Sequence, residues 1–197
     1  MANDFGDVEL DALGMRALAH PVRLAILNHL REHGPNTATG LSPHVGASPS
    51  VTSWHLRHLA EHALVEDAPP QGGGRRRWWQ AHGRGFRFST DSCDPEAARQ
   101  LEEAVERVEG DIVGDWKSAV RPRLEPAWDC LAGRWNTRIL LTREELAELD
   151  AAIETLMAPY VQRKDDPGRA PSGARLVRFL RWTMPEAAAA PPTDGDR

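Results

Sequence analysis

The chain has 197 residues, 41% of them hydrophobic, which is enough to bury a core and to divide into two small domains. It has no apolar run long enough to span a membrane and no basic-then-apolar start, so neither a membrane span nor a signal peptide is indicated and a cytoplasmic chain is expected. The net charge of −5 is uneven: residues 12–90 hold nine arginines against four acids (+5) and all eight histidines, whereas residues 91–197 hold 15 basic against 21 acidic residues (−6). The basic half is the one suited to nucleic acid. Cys93 and Cys130 lie far apart, so no structural disulfide is expected in a reducing compartment, and a redox-sensing pair stays open as an alternative.

In chain order, residues 21–32 carry Val22, Leu24, Ala25, Ile26, Leu27 and Leu30 behind Pro21, a helix with a clean start. His33-Gly34-Pro35-Asn36 breaks it. Thr37 caps a short helix running through Val45, and Gly46 ends that one. Ser48 then caps and Pro49 opens a third helix. At about 100° per residue its wheel places Thr52, Leu56, Leu59 and Ala63 on a packing stripe and Val51, Trp54, His55 and His58 on the other side. Leu64-Val65-Glu66-Asp67 starts a strand, residues 69–74 form a Pro/Gly turn, and Arg75-Arg76-Arg77-Trp78-Trp79-Gln80 returns as a second strand, a hairpin with a basic, glycine-rich tip.

Together, ALAHPVRLAILNHL, SPSVTSWHLRHLAEHALV and GGGRRRWWQ resemble the winged helix-turn-helix of ArsR-type bacterial transcriptional regulators over residues 12–90. The resemblance implies a symmetric dimer on a short inverted repeat in promoter DNA, usually released by a signal. Typical metal-sensing members carry a cysteine pair in the helix before the reading helix, or histidine and carboxylate ligands near their terminal helix; residues 37–45 contain no cysteine, so a metal cofactor is not expected.

The chemistry also stands on the residues. A duplex major groove admits one helix, whose short N-terminal side chains let the backbone approach phosphate while longer ones reach base edges. Ser48, Ser50 and Ser53 suit phosphate or sugar contacts. Val51, Trp54, His55 and His58 face the groove, Arg57 suits a phosphate, and Arg75, Arg76 and Arg77 lie over the backbone or enter the adjacent minor groove. The alternatives are a subunit contact for Trp54, a solvated turn for the arginine run, and a transition-metal spacing for His58 and His62.

A polar junction, Ser89-Thr90-Asp91-Ser92-Cys93, separates this half from a long helix capped by Asp94 and opened by Pro95, expected to reach Ala119. Its apolar residues Ala98, Leu101, Val105, Val108, Ile112 and Trp116 repeat every three or four positions, either a seam for a partner helix or an amphipathic face for its own domain. Beyond it are a stiff connection at residues 121–126, a strand at 135–141, and a helix behind the capping box Thr142-Arg143-Glu144-Glu145, with Leu146, Leu149, Ile153 and Leu156 on one face. A loop from Asp165 to Gly173 leads to a second strand at 174–184. Trp116, Trp128, Trp135 and Trp182 are expected either to fill a core or to line an apolar pocket.

The expectation is an α+β chain. Residues 1–90 form a winged helix-turn-helix domain. Residues 91–185 form a dimerisation or effector domain of a long helix and a small helix/strand part, and residues 186–197 a disordered tail. The expected function is sequence-specific DNA binding by a homodimeric transcriptional regulator, read as a repressor, acting on double-stranded DNA with a small-molecule effector left open. The alternative is a winged helix used for protein contacts. No phosphate loop, nucleophile elbow or paired ligand spacing suggests an enzyme.

Overall fold

The computed structural model describes residues 5–71, 76–88, 94–163 and 170–187. Two compact units divide at residue 162. In the first, α1 (Ala12–Leu18), α2 (Pro21–His33), α3 (Ala38–Val45) and α4 (Pro49–Glu61) surround one core. Met15, Leu18, Leu24, Ile26, Leu27, Leu41, Leu56 and Leu59 are fully buried in it.

The helix boundaries follow the local chemistry. Thr37 Oγ1 accepts from the Gly40 amide at 3.1 Å, and Gly46 ends α3 at φ +64°, a left-handed conformation open to glycine without strain. Ser48 Oγ accepts from the Val51 amide at 3.4 Å behind Pro49. Ser48→Ala should therefore cost about 0.5–1 kcal/mol of stability, the low end for a missing cap because this bond is long and exposed. Urea unfolding is the check, and a loss above about 2 kcal/mol would mean that Ser48 does more than cap.

The wing is a three-stranded antiparallel sheet, ordered β2 (Asn36–Thr37), β4 (Trp78–Ala81), β3 (Val65–Ala68). Val65 pairs with Ala81 and Ala68 with Trp78, as the hairpin pattern requires, while Asn36 pairs with Trp79. A second, parallel pair joins β1 (Val8–Glu9) to β5 (Phe86–Arg87). Arg75 and the rest of the expected wing tip, residues 72–75, lie outside the described residues, as do the junction at 89–93, loop residues 164–169 and tail residues 188–197.

The long helix is shorter than expected. Asp94 caps α5 (Pro95–Glu109) through the Ala97 amide, but Gly110, at φ +61°, ends it well before Ala119. Asp111 then starts α6 (Ile112–Asp115), followed by a π turn at Trp116–Val120, a 3-10 turn at Arg121–Arg123 and α7 (Pro126–Asp129). The seam is therefore interrupted before Ile112 and Trp116. Its first turns are occupied within the chain: Ala97, Ala98, Leu101 and Ala104 are buried in the same core as α1 and α2, with Val105 and Val108 packed at its edge. An ion pair between Arg16 and Asp94 joins α1 to the α5 cap. The core thus continues across residue 90.

The capping box forms as its sequence requires. Thr142 donates its amide to Glu145 Oε2 at 2.8 Å and Glu145 returns its own to Thr142 Oγ1 at 3.1 Å, opening α8 (Arg143–Gln162). Arg87 pairs with both Asp7 and Glu154, linking the β1–β5 pair to α8.

The two expected C-terminal strands are corrected. Among the described residues, 135–141 and 174–184 have no regular structure and belong to no strand. Trp135 is 95% and Leu140 99% exposed, and Leu180, Trp182 and Met184 are exposed as well. Alternating side chains make a strand only where a neighbouring strand takes up the backbone groups, and the described residues supply none. The tryptophans are corrected with them: Trp135 and Trp182 are exposed, and Trp116 and Trp128 are half-buried at the surface. In the second unit, the described residues 170–187 make a turn in which the Ala174 amide donates to the Pro171 carbonyl at 3.0 Å, and then run on without regular structure. Among the described residues no helix is long and apolar enough to cross a membrane.

Candidate nucleic-acid interface

α4 presents its start and one side to solvent. Ser48, Ser50, Val51 and Arg57 are exposed, Trp54 is 54% exposed, and Ser53 and His58 are half-buried beside them. The opposite side, Thr52, Leu56 and Leu59, is sealed in the core, so the packing alone fixes which face is available.

His55 is the exception among the candidates. The wheel places it on the open face, yet it is only 5% exposed. The ring of His20, the residue that caps α2, lies 4.7 Å from its own, and Trp54 meets it edge-on at 4.9 Å. Burial, reinforced by the positive surroundings of His20, Arg23 and His58, holds the His55 pKa below its ordinary 6.5. A neutral, covered ring is not placed to touch a base. The open stripe of α4 reduces to Val51, Trp54 and His58, the last two stacked with ring centroids 5.7 Å apart and planes within 3°.

Beside this stripe an open groove of about 460 Å³ is lined by Thr37, Ala38 and Thr39 at the start of α3, Ser53 and Arg57 on α4, and Arg76, Arg77 and Trp79 at the wing. Hydroxyls and guanidinium groups converge there with the amino end of α3, an arrangement suited to a phosphate. The contribution of Thr39 is not visible from the sequence, because it depends on the pairing of β2 with β4, which brings the start of α3 against the wing. At the far end of α4, Glu61 Oε2 lies 3.2 Å from His58 Nδ1, and this carboxylate limits the anionic footprint along the helix.

The wing arginines differ from one another. Arg77 is clamped: Nε donates to Asp67 Oδ1 at 2.5 Å, the terminal nitrogen to Oδ2 at 3.0 Å, and its guanidinium lies 3.8 Å from the centre of the Trp79 ring. The hydrogen bonds from Arg77 lower the Asp67 pKa. Arg76 is exposed, and Arg57 donates Nε to the Ser53 carbonyl at 3.3 Å.

No curated protein matches this chain. A solved structure of a MepR-like protein complexed with pseudoligands aligns over 74% of this chain and 82% of its own, at 20% identity and a TM-score of 0.31, an overlap that decides nothing about partner or ligand. Residues 18–68, running from the end of α1 through α2, α3 and α4 to β3, match the family described as helix-turn-helix domain.

Proposed function

We propose that the chain is a sequence-specific DNA-binding transcriptional regulator of the ArsR type. In this reading α4 enters the major groove, with Trp54, Val51 and His58 against base edges and the groove wall. Ser48 and Ser50 approach phosphate at its start, and Arg57 and Arg76 hold the backbone from the neighbouring groove. The observation that carries this reading is the joint placement of an exposed helix start and a hydroxyl-and-guanidinium groove on one side of a helix-turn-helix. The chain acts in the cytoplasm, without catalysis, as a homodimeric repressor. Its two copies of α4 sit about one duplex turn, roughly 34 Å, apart on an inverted repeat. Residues 91–185 provide the dimerisation or effector surface in this proposal.

The test is fluorescence anisotropy with duplex from the region upstream of the coding sequence, titrated with salt. Arg57→Ala/Arg76→Ala should weaken binding to every duplex about tenfold or more and flatten the salt slope by up to about two units, one for each phosphate no longer neutralised. Arg77→Ala should change the slope less, because Asp67 already balances that charge. Unchanged affinity and slope in the double variant contradict the groove assignment, and a wild-type chain without affinity for any duplex contradicts the function.

A further inference from the structure

His20 and His55 sit where α2 meets α4, and their surroundings have one sign. The charged groups facing the His55 ring are His20 at the α2 cap, Arg23 from α2 and His58 from α4 itself, with Arg23 also facing His20. Glu61 bonds His58, and Arg16 of α1 offers Arg23 only its backbone carbonyl at 3.4 Å while its own guanidinium is paired with Asp94. His55 Nδ1, Arg23 Nε and Thr52 Oγ1 are buried with no hydrogen-bond partner among the described residues. A charged His55 would carry an N–H donor with no acceptor among the described residues, beside the half-buried Arg23, whose Nε is covered.

We infer that His20 and His55 form a proton-sensitive latch: at mildly acid pH the rings charge, repel each other and Arg23, and loosen α4 from α2. Loss of the DNA-reading surface is the consequence that rests on the function proposed above, whereas the latch itself does not. Both rings are held below the ordinary value of 6.5, by burial first and by neighbouring positive groups second. The unfolded chain therefore binds more protons than the folded one as pH falls past 6.5, and stability is lost from there down to the lower folded values.

The experiment is thermal unfolding of the full chain without DNA, by circular dichroism between pH 7.5 and 5.5, compared with His20→Asn/His55→Phe. Asparagine keeps an acceptor at the α2 cap and phenylalanine keeps an aromatic plate on α4, but neither ionises. The wild type should lose about 5 °C or more across this window and the variant roughly half of that or less. The residual slope belongs to the six other histidines, common to both chains. Equal slopes sink the latch. If the variant fails to fold, proton NMR of the wild type decides: the latch requires the His55 ring to titrate together with loss of the native Leu56 and Leu59 methyl signals. A His55 ring that charges within an intact native spectrum overturns it. DNA anisotropy at both pH values forms a separate arm, in which the wild type should lose more affinity than the variant. Absence of DNA binding at every pH would count against the function while leaving the melting result to stand.

Discussion

Trp79→Ala should cost about 3–5 kcal/mol of stability and weaken DNA binding in the same molecule. Trp79 is 2% exposed at the centre of the wing sheet, where it is paired with Asn36 on one side and Asp67 on the other. Removing the indole opens a cavity in the core and deletes the plate on which the Arg77 guanidinium rests. Chemical denaturation reads the first effect. Anisotropy at a temperature where the variant is still folded reads the second. A midpoint within about 1 kcal/mol of wild type would show that the sheet does not depend on this ring.

Leu101→Ala should cost about 2–5 kcal/mol, and a fragment ending at residue 90 should fail to fold cooperatively. Leu101 is fully buried in the core that α1 and α2 share with α5, and Ala97, Ala98 and Ala104 complete that layer. A fragment lacking α5 would leave this side of the core uncovered. Val105→Lys/Val108→Lys should lower the stability of the single chain, by less than Leu101→Ala, because both side chains are only half-buried at the edge of this layer. A loss below about 1 kcal/mol for Leu101→Ala, with a fragment melting as sharply as the full chain, would confine the core to residues before 90.

What is legible in the sequence is local. Thr37, Ser48, Asp94 and the Thr142–Glu145 pair each announce a helix start because one side-chain oxygen reaches an amide three residues on, and all four do so here. The β3–β4 hairpin is legible because its two runs flank a Pro/Gly turn. β1, β2 and β5 are not, since two residues carry no period and such strands exist only by their partners. His55 escapes the sequence for a related reason: a helical wheel records angle, not what another helix lays over it. Gly110 is readable as a helix stop, but the apolar repeat continues through it and hides the break that its left-handed backbone makes. At residues 135–141 and 174–184, side-chain pattern suggests a pairing that the described chain does not make.

The parallel pairing of Val8 with Phe86, and the ion pairs of Arg87 with Asp7 and Glu154, join parts of the chain that lie far apart in sequence. The first strand has no partner until nearly eighty later residues have been made, and the layer around Leu101 comes later still. During synthesis, α1 to α4 all emerge before Phe86 and Arg87, so β1 has no strand to pair with until then. Ends so distant in sequence close slowly, and the rate-limiting step of refolding should lie in this closure rather than in the formation of α2, α3 and α4.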